Sequence, residues 1–220
     1  GPDGVEHRMY DTCWLTVAPP VKFAADAALG EWDGVPPAWM YYTYSWARLG
    51  RHFPQLERDG EHFKYALRVD ARAAVYAGRD GQNLCLAVRC EDDDPIFAGE
   101  AADILEVKLN PRPGMSDGTR TLTVRPLGSK VEFTEDGKPV EGAVAAMATG
   151  KDSNEAGPFS VWTVELSVPL SLAGASGRPG EAIGFDLVWH DADHDGDAVV
   201  TGTWRWAGRS TSLGSLFFAP

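Results

Sequence analysis

The sequence predicts an all-β fold: an antiparallel β-sandwich of jelly-roll type with little helix. Three observations predict it. About ten short segments alternate apolar and polar side chains, the period of a half-buried strand. Gly, Asp-Gly and Pro-Pro steps separate them. No helical pattern persists for four turns, which leaves sheet packed on sheet as the way to bury the apolar faces. The chain has 220 residues, enough for one large sandwich. No interior stretch reads as a linker, so 3–220 is taken as a single domain, and Gly1-Pro2 as a protease scar left by expression, with native flanks outside it.

The elements follow in order. Residues 14–18 (WLTVA) make a first strand that stops at Pro19-Pro20. The stretch 25–39 turns over the surface, with Leu29 and Trp32 tucked inward. Residues 39–66 form an irregular, aromatic-rich insertion. Leu67 to Tyr76 is a strand, and Arg79-Asp80-Gly81 turns it into LCLAVRC, where Leu84, Leu86, Val88 and Cys90 share a face. Asp92, Asp93 and Asp94 end that strand. From Asp103, alternation buries Leu105, Val107 and Leu109 and exposes Glu106 and Lys108. Two short strands, 121–125 and 130–134, lead to a turn at Asp136-Gly137. The small, polar run 142–158 reads as a mobile loop. Trp162, Val164, Leu166 and Val168 give the cleanest alternation, ending in one helical turn after Pro169. Ile183 to Trp206 is a hairpin, and Leu213 to Phe218 the last strand.

Net charge is −12, from 32 acids and 20 bases. A duplex nucleic-acid binder would carry a basic patch, and none is visible. No apolar run approaches the roughly 18 residues of a membrane span. Neither nucleic acid nor membrane is an expected partner. Cys85 and Cys90 lie five apart on one strand, so they point to opposite faces and do not bridge each other. With Cys13 they read as buried free thiols, or as one disulfide formed through the fold.

Two stretches carry candidate chemistry. The hairpin's connecting loop holds Asp191, Asp193, Asp195 and Asp197, four carboxylates in seven residues. Such a set repels itself unless water or a cation lies among it. Asp191-x-Asp193-x-Asp195-Gly196 matches the first half of an EF-hand loop, but Gly202 stands where the closing Glu would be, and the flanks are strands. Calcium that stiffens this loop, and a solvated acidic turn, are the two readings. Asp92 to Asp94 is a second acidic cluster. The other stretch is aromatic: Trp39, Tyr42, Tyr44 and Trp46 are the best candidates for stacking on the C–H faces of sugar rings, and they also suit a plug at one end of the sandwich. Arg125, on the outward face of its strand, is either a further sugar contact or a solvated arginine. The five histidines, 7, 52, 62, 190 and 194, form no HxH or HExxH set, and GxSxG, Walker and GxGxxG motifs are absent. Paired acids exist in any acidic chain and decide nothing about hydrolysis.

The order of these pieces resembles the family 9 carbohydrate-binding modules and their DOMON-type relatives, over about 80% of the chain. Asp26-Ala-Ala-Leu-Gly-Glu-Trp32 is similar to the family's opening "DG-x-x-x-E-W". The run from Asp80 to Asp92 resembles "D-x-x-L-Y-x-x-x-x-V-x-D", with Cys85 in place of Tyr. Asp103-Ile-Leu-Glu106 matches "D-S-V-E". The runs from Trp162 to Pro169 and from Ile183 to Asp191 match "Y-x-V-E-x-x-I-P" and "I-G-F-x-x-x-x-x-D". Trp206 and Leu213-Gly214 match the closing "W" and "F-G-x-L".

The resemblance implies a non-catalytic, secreted accessory domain, extracellular or periplasmic, attached to a larger enzyme and stabilised by calcium. It implies a polysaccharide or glycan gripped at its end by two tryptophans, with other domains of the parent protein as neighbours. Here Glu100 stands at one tryptophan position, and the loop AGRSTSL, 207–213, holds no aromatic at the other, so the clamp does not transfer. A family arginine that contacts sugar falls at Thr123, two residues from Arg125. DOMON relatives can hold haem, but no motif places Met40, Met115, Met147 or His190 for it, and no haem is expected. Three readings stand: a carbohydrate-binding domain, a structural or protein-interaction sandwich that has lost the sugar site, and a jelly-roll polysaccharide-active enzyme.

Overall fold

Among the described residues the predicted alternation becomes thirteen strands in two sheets. The computed structural model describes residues 15–41, 71–92, 94–99, 102–154, 157–195, 198–205 and 213–220. In chain order the strands are β1 (Leu15–Ala18), β2 (Ala38–Tyr41), β3 (Ala71–Asp80), β4 (Asn83–Asp92), β5 (Ile104–Asn110), β6 (Arg120–Leu127) and β7 (Lys130–Glu135). They continue as β8 (Lys138–Pro139), β9 (Val144–Asn154), β10 (Gly157–Pro169), β11 (Ala182–Asp195), β12 (Ala198–Arg205) and β13 (Gly214–Phe218). The larger sheet runs β1-β13-β11-β5-β6-β7-β8, with β12 also on β11; the smaller runs β2-β3-β4-β10-β9. Every named pair is antiparallel except β1 with β13. Single 3₁₀ turns at Gly30–Trp32 and Leu170–Ala173 are the helical content of the described residues.

Period-two patterning fills the space between the sheets. Leu84, Leu86, Val88 and Cys90 of β4 and Trp162, Val164, Leu166 and Val168 of β10 face Leu105, Val107 and Leu109 of β5 and Ile183, Phe185, Leu187 and Trp189 of β11. All are essentially inaccessible. Trp162 meets Trp189 edge-on, with ring centres 5.6 Å apart and an interplanar angle of 87°, a geometry that adds about 0.5–1.5 kcal/mol beyond area burial. Cys90 lies in this core and Cys85 on the opposite face of β4; both are free and buried, as their spacing predicts.

That opposite face is covered by the segment 19–37. Arg79 and Val21 hold it by backbone hydrogen bonds of 2.8 and 2.9 Å. Its Val21, Phe23, Leu29, Trp32 and Val35 pack on Cys85, Ala87 and Tyr76. Gly78 permits the approach, since a Cβ there would lie 2.8 Å from the Val21 methyls. Glu165, on β10 and fully buried, latches the segment down. It accepts Trp32 Nε1–H at 2.8 Å and the backbone N–H groups of Asp26 and Ala27. Burial pushes its carboxyl above the usual range against those bonds. Ala27 adopts a left-handed φ of 59° at the position where the motif resembled above has Gly.

Two expectations are corrected. The run 142–158 is no loop: β9 pairs with β10 from Gly157↔Asn154 to Ser167↔Val144. Its alanines and Gly150 carry little strand propensity, but the β10 backbone needs a partner, and tertiary pairing overrides local preference. Asp191, Asp193 and Asp195 are not in the hairpin loop either. β11 continues through Asp195 and β12 begins at Ala198, with Asp195↔Ala198 still in register.

Glu165→Ala is predicted to lower stability by about 2–4 kcal/mol, because three N–H donors lose a buried acceptor. Urea denaturation of the variant measures this.

Candidate functional site

Strand alternation creates an unusual cluster at one end of the core. Cys90, Leu105 and Trp189 are the last apolar core residues of β4, β5 and β11 at this end. One step further in the same phase, each strand places an aspartate: Asp92, Asp103 and Asp191. Their exposures are 0, 0 and 1%. One carboxylate oxygen from each lies within 4.8 Å of the others. Asp103 is the hub. Its Oδ1 accepts Trp189 Nε1–H at 3.0 Å and Ala192 N–H at 3.4 Å, and its Oδ2 accepts Ile96 N–H at 2.7 Å. Its own N–H returns a 2.8 Å bond to Ile96 O, which closes the β4–β5 connection. Asp92 Oδ1 accepts Asp94 N–H at 2.8 Å.

The electrostatics are severe. Burial pushes Asp103 up to about 6 in spite of N–H bonds from Trp189, Ile96 and Ala192 and a hydrogen bond shared with the Asp191 carboxyl. Burial also drives the Cys90 thiol well above its ordinary value, with the three aspartates adding to the shift. The donor set fits a hard cation: it is all carboxylate oxygen, and ligands about 2.4 Å from one ion lie up to about 4.8 Å apart. The absence of nitrogen and sulfur donors from the triad argues against zinc. A second carboxylate group, Asp26, Glu31 and Glu165, differs. Its oxygens receive five N–H bonds and its Asp26 is exposed, so it is the structural latch described above.

The outer face of the larger sheet carries polar residues on β5, β6 and β7, while Val188 and Asp186 of β11 are buried within it. Register aligns Val188, Glu106, Thr123 and Thr134 in one row, with Asp186, Lys108 and Thr121 beside it. On the other side, His190 pairs with Ile104, and Arg125 with Glu132. Glu106 is the centre of charge: Lys108 Nζ lies 2.9 Å from it and His190 Nε2 3.4 Å. Hydrogen bonds from His190 first, and from Lys108, hold Glu106 down at about 2, against the opposing effect of burial. This face sets an acceptor at Glu106 beside donors at Lys108 and His190.

The sequence candidates fall in different places. Arg125 is on this face. Trp39 is on β2 of the smaller sheet, opposite Ala74, so the two do not share a sheet. Tyr42, Tyr44, Trp46 and Asp197 lie outside the described residues. Asp193 and Asp195 are strand positions on β11 in phase with Asp191. Asp191 itself does not stand at a loop tip but in the buried triad. Asp103 was not singled out as a ligand; its signal was a carboxylate two residues from Leu105 in the buried phase.

No protein-family model matches the chain, and no curated protein matches it. Solved structures do. A family 9 carbohydrate-binding module from Caldicellulosiruptor kristjanssonii, in complex with cellotriose, is similar with a TM-score of 0.55 and 14% identity, covering 94% of each chain. Its complex with glucose gives 0.56 and 13%, covering 93% of this chain and 95% of that one. A protein from Bacteroides uniformis, to which carbohydrate binding has been ascribed, gives 0.51 and 10%, covering 93% and 98%. The chain has the β-sandwich fold of the family 9 modules.

Glu106 supplies a pH prediction. Its folded value lies below the ordinary 4.5, so its contribution is present above pH 4.5 and is lost as pH falls toward 2. Thermal melts from pH 7 to 2 should show a shallower acid decline for Glu106→Gln than for the wild type.

Proposed function

We propose that this domain binds carbohydrate without catalysing a reaction, and that the ligand lies on the outer face of the larger sheet around Glu106, Lys108 and Arg125. The observation that carries the reading is the polar row centred on Glu106, on a fold whose solved neighbours include complexes with cellotriose and glucose. An ionised carboxylate beside an ammonium matches the paired donor and acceptor of adjacent sugar hydroxyls, and hydrogen bonds to charged groups are the stronger kind. Trp39, Tyr42, Tyr44 and Trp46 remain candidate stacking surfaces. In this reading the domain is an accessory of a larger extracellular or periplasmic enzyme, which it holds on polysaccharide.

Calcium is the second part of the proposal, placed at Asp92, Asp103 and Asp191 rather than at the hairpin tip. Bound there, it would supply positive charge to a triad that burial otherwise penalises. Its role is to fix the ends of β4, β5 and β11.

Calorimetric titration with cellotriose and glucose tests the sugar site. Glu106→Ala and Arg125→Ala are predicted to weaken binding about tenfold or more. Wild-type affinity in both variants moves the site elsewhere. No binding of any glycan on an array favours the structural-domain reading, to which Glu100 and the 207–213 loop already lend weight.

For the metal, calcium at about 100 times its dissociation constant contributes about 2.7 kcal/mol, and a rise in Tm of about 5–10 °C follows for a domain of this size. Asp103→Asn should abolish the rise and Asp26→Asn should keep it. An equal rise in both variants places the ion elsewhere.

A further inference from the structure

A second concavity lies on the other sheet, where β9 and β10 run past the end of the core. It measures about 340 Å³ and is lined by Pro95, Phe97, Thr149, Gly150, Lys151, Ser160 and Val161. That volume is at the low end of small-molecule pockets, about 300–1,000 Å³, and suits one or two sugar rings. Phe97 supplies an aromatic wall, held edge-on against Trp162 with ring centres 5.9 Å apart. Thr149 supplies a hydroxyl. Lys151 Nζ donates to Ser160 Oγ at 2.7 Å, and that serine is 6% exposed. One ammonium hydrogen is thereby fixed to a buried acceptor, and the others can serve a ligand. Among the described residues no carboxylate lines the pocket, and the nearest acid in register is the buried Asp92 opposite Ser160. The neighbouring Asp152 is paired with Arg89 at 2.9 Å.

Gly150 supplies a control. Register pairs it with Val161, so strand alternation sets both on the other face of the sheet from Thr149, Lys151 and Ser160. No atom lies within 4 Å of where its Cβ would be, so a side chain added there has room and points away from the ammonium.

We propose that this pocket binds a hydroxylated carboxylate, a sugar acid, whose ring lies against Phe97 and whose carboxylate meets Lys151. An ammonium with no lining acid among the described residues selects an anion even in a chain of net charge −12. The site is separate from the Glu106 face and stands or falls without it.

Amide chemical shifts titrated with sodium glucuronate, and with glucose as the neutral counterpart, test the assignment. Glucuronate should move residues 149–151 and 160–161, and glucose should leave them in place. Lys151→Met, which keeps the apolar stem, should weaken glucuronate about tenfold. Gly150→Val should leave the 149–151 and 160–161 shifts in place with Tm unchanged or raised, since the valine has space on the opposite face and a better strand propensity. Glu106→Ala should leave glucuronate binding untouched, which separates failure of this site from failure of the other. Unmoved amides at tens of millimolar glucuronate, equal shifts with glucose, or wild-type affinity in Lys151→Met overturns the proposal.

Discussion

The constraint on which the rest of the structure turns is the burial of three carboxylates where the two sheets meet. Asp92 comes from the smaller sheet, and Asp103 and Asp191 from the larger. Hydrogen bonds to Asp103 draw in Trp189, Ala192 and the connection at Ile96. Trp189 then positions Trp162, which in turn carries Phe97. A buried charge is tolerated only when it is compensated. Here compensation is what aligns the sheets at this end, and the residues it fixes border both candidate ligand surfaces. Ile104 and His190 immediately follow and precede triad members and open the outer row toward Arg125.

The two surfaces use different physics. Around Glu106 the groups are charged, mutually paired and only partly exposed. At Lys151 the charge is single, tethered to a buried serine and set in a small concavity. A domain with both would recognise a neutral part and an acidic part of a ligand on separate sheets.

Much of the fold was legible because alternation over β4, β5, β10 and β11 is strong, and buried leucines, valines and tryptophans leave no second phase. β9 was not legible. Its alanines and glycine carry no hydrophobic signal, and it is a strand because β10 needs a partner on that edge. The aspartates were misplaced for a related reason. A run of acids reads as solvated, and only the phase shared with Trp189 reveals Asp191 as buried. The triad could not be assembled from the sequence at all, since residues 92, 103 and 191 meet only through pairing across the sandwich. The polar row around Glu106 is the opposite case: alternation places Glu106 and Lys108 outward, but only register brings His190 beside them.

The parallel pairing of β1 with β13 has a consequence for how the chain reaches this state. Leu15↔Ser215 and Ala18↔Phe218 join positions separated by 200 residues. Closing so long a loop carries a large entropic cost before any contact rewards it. During synthesis the edge of the larger sheet therefore stays open until Phe218 has left the ribosome, although β3 and β4 can pair as soon as their local turn emerges. Among the described residues β13 is the strand that pairs with β1, so loss of β13 leaves β1 as an edge without that partner, available to any other strand it meets.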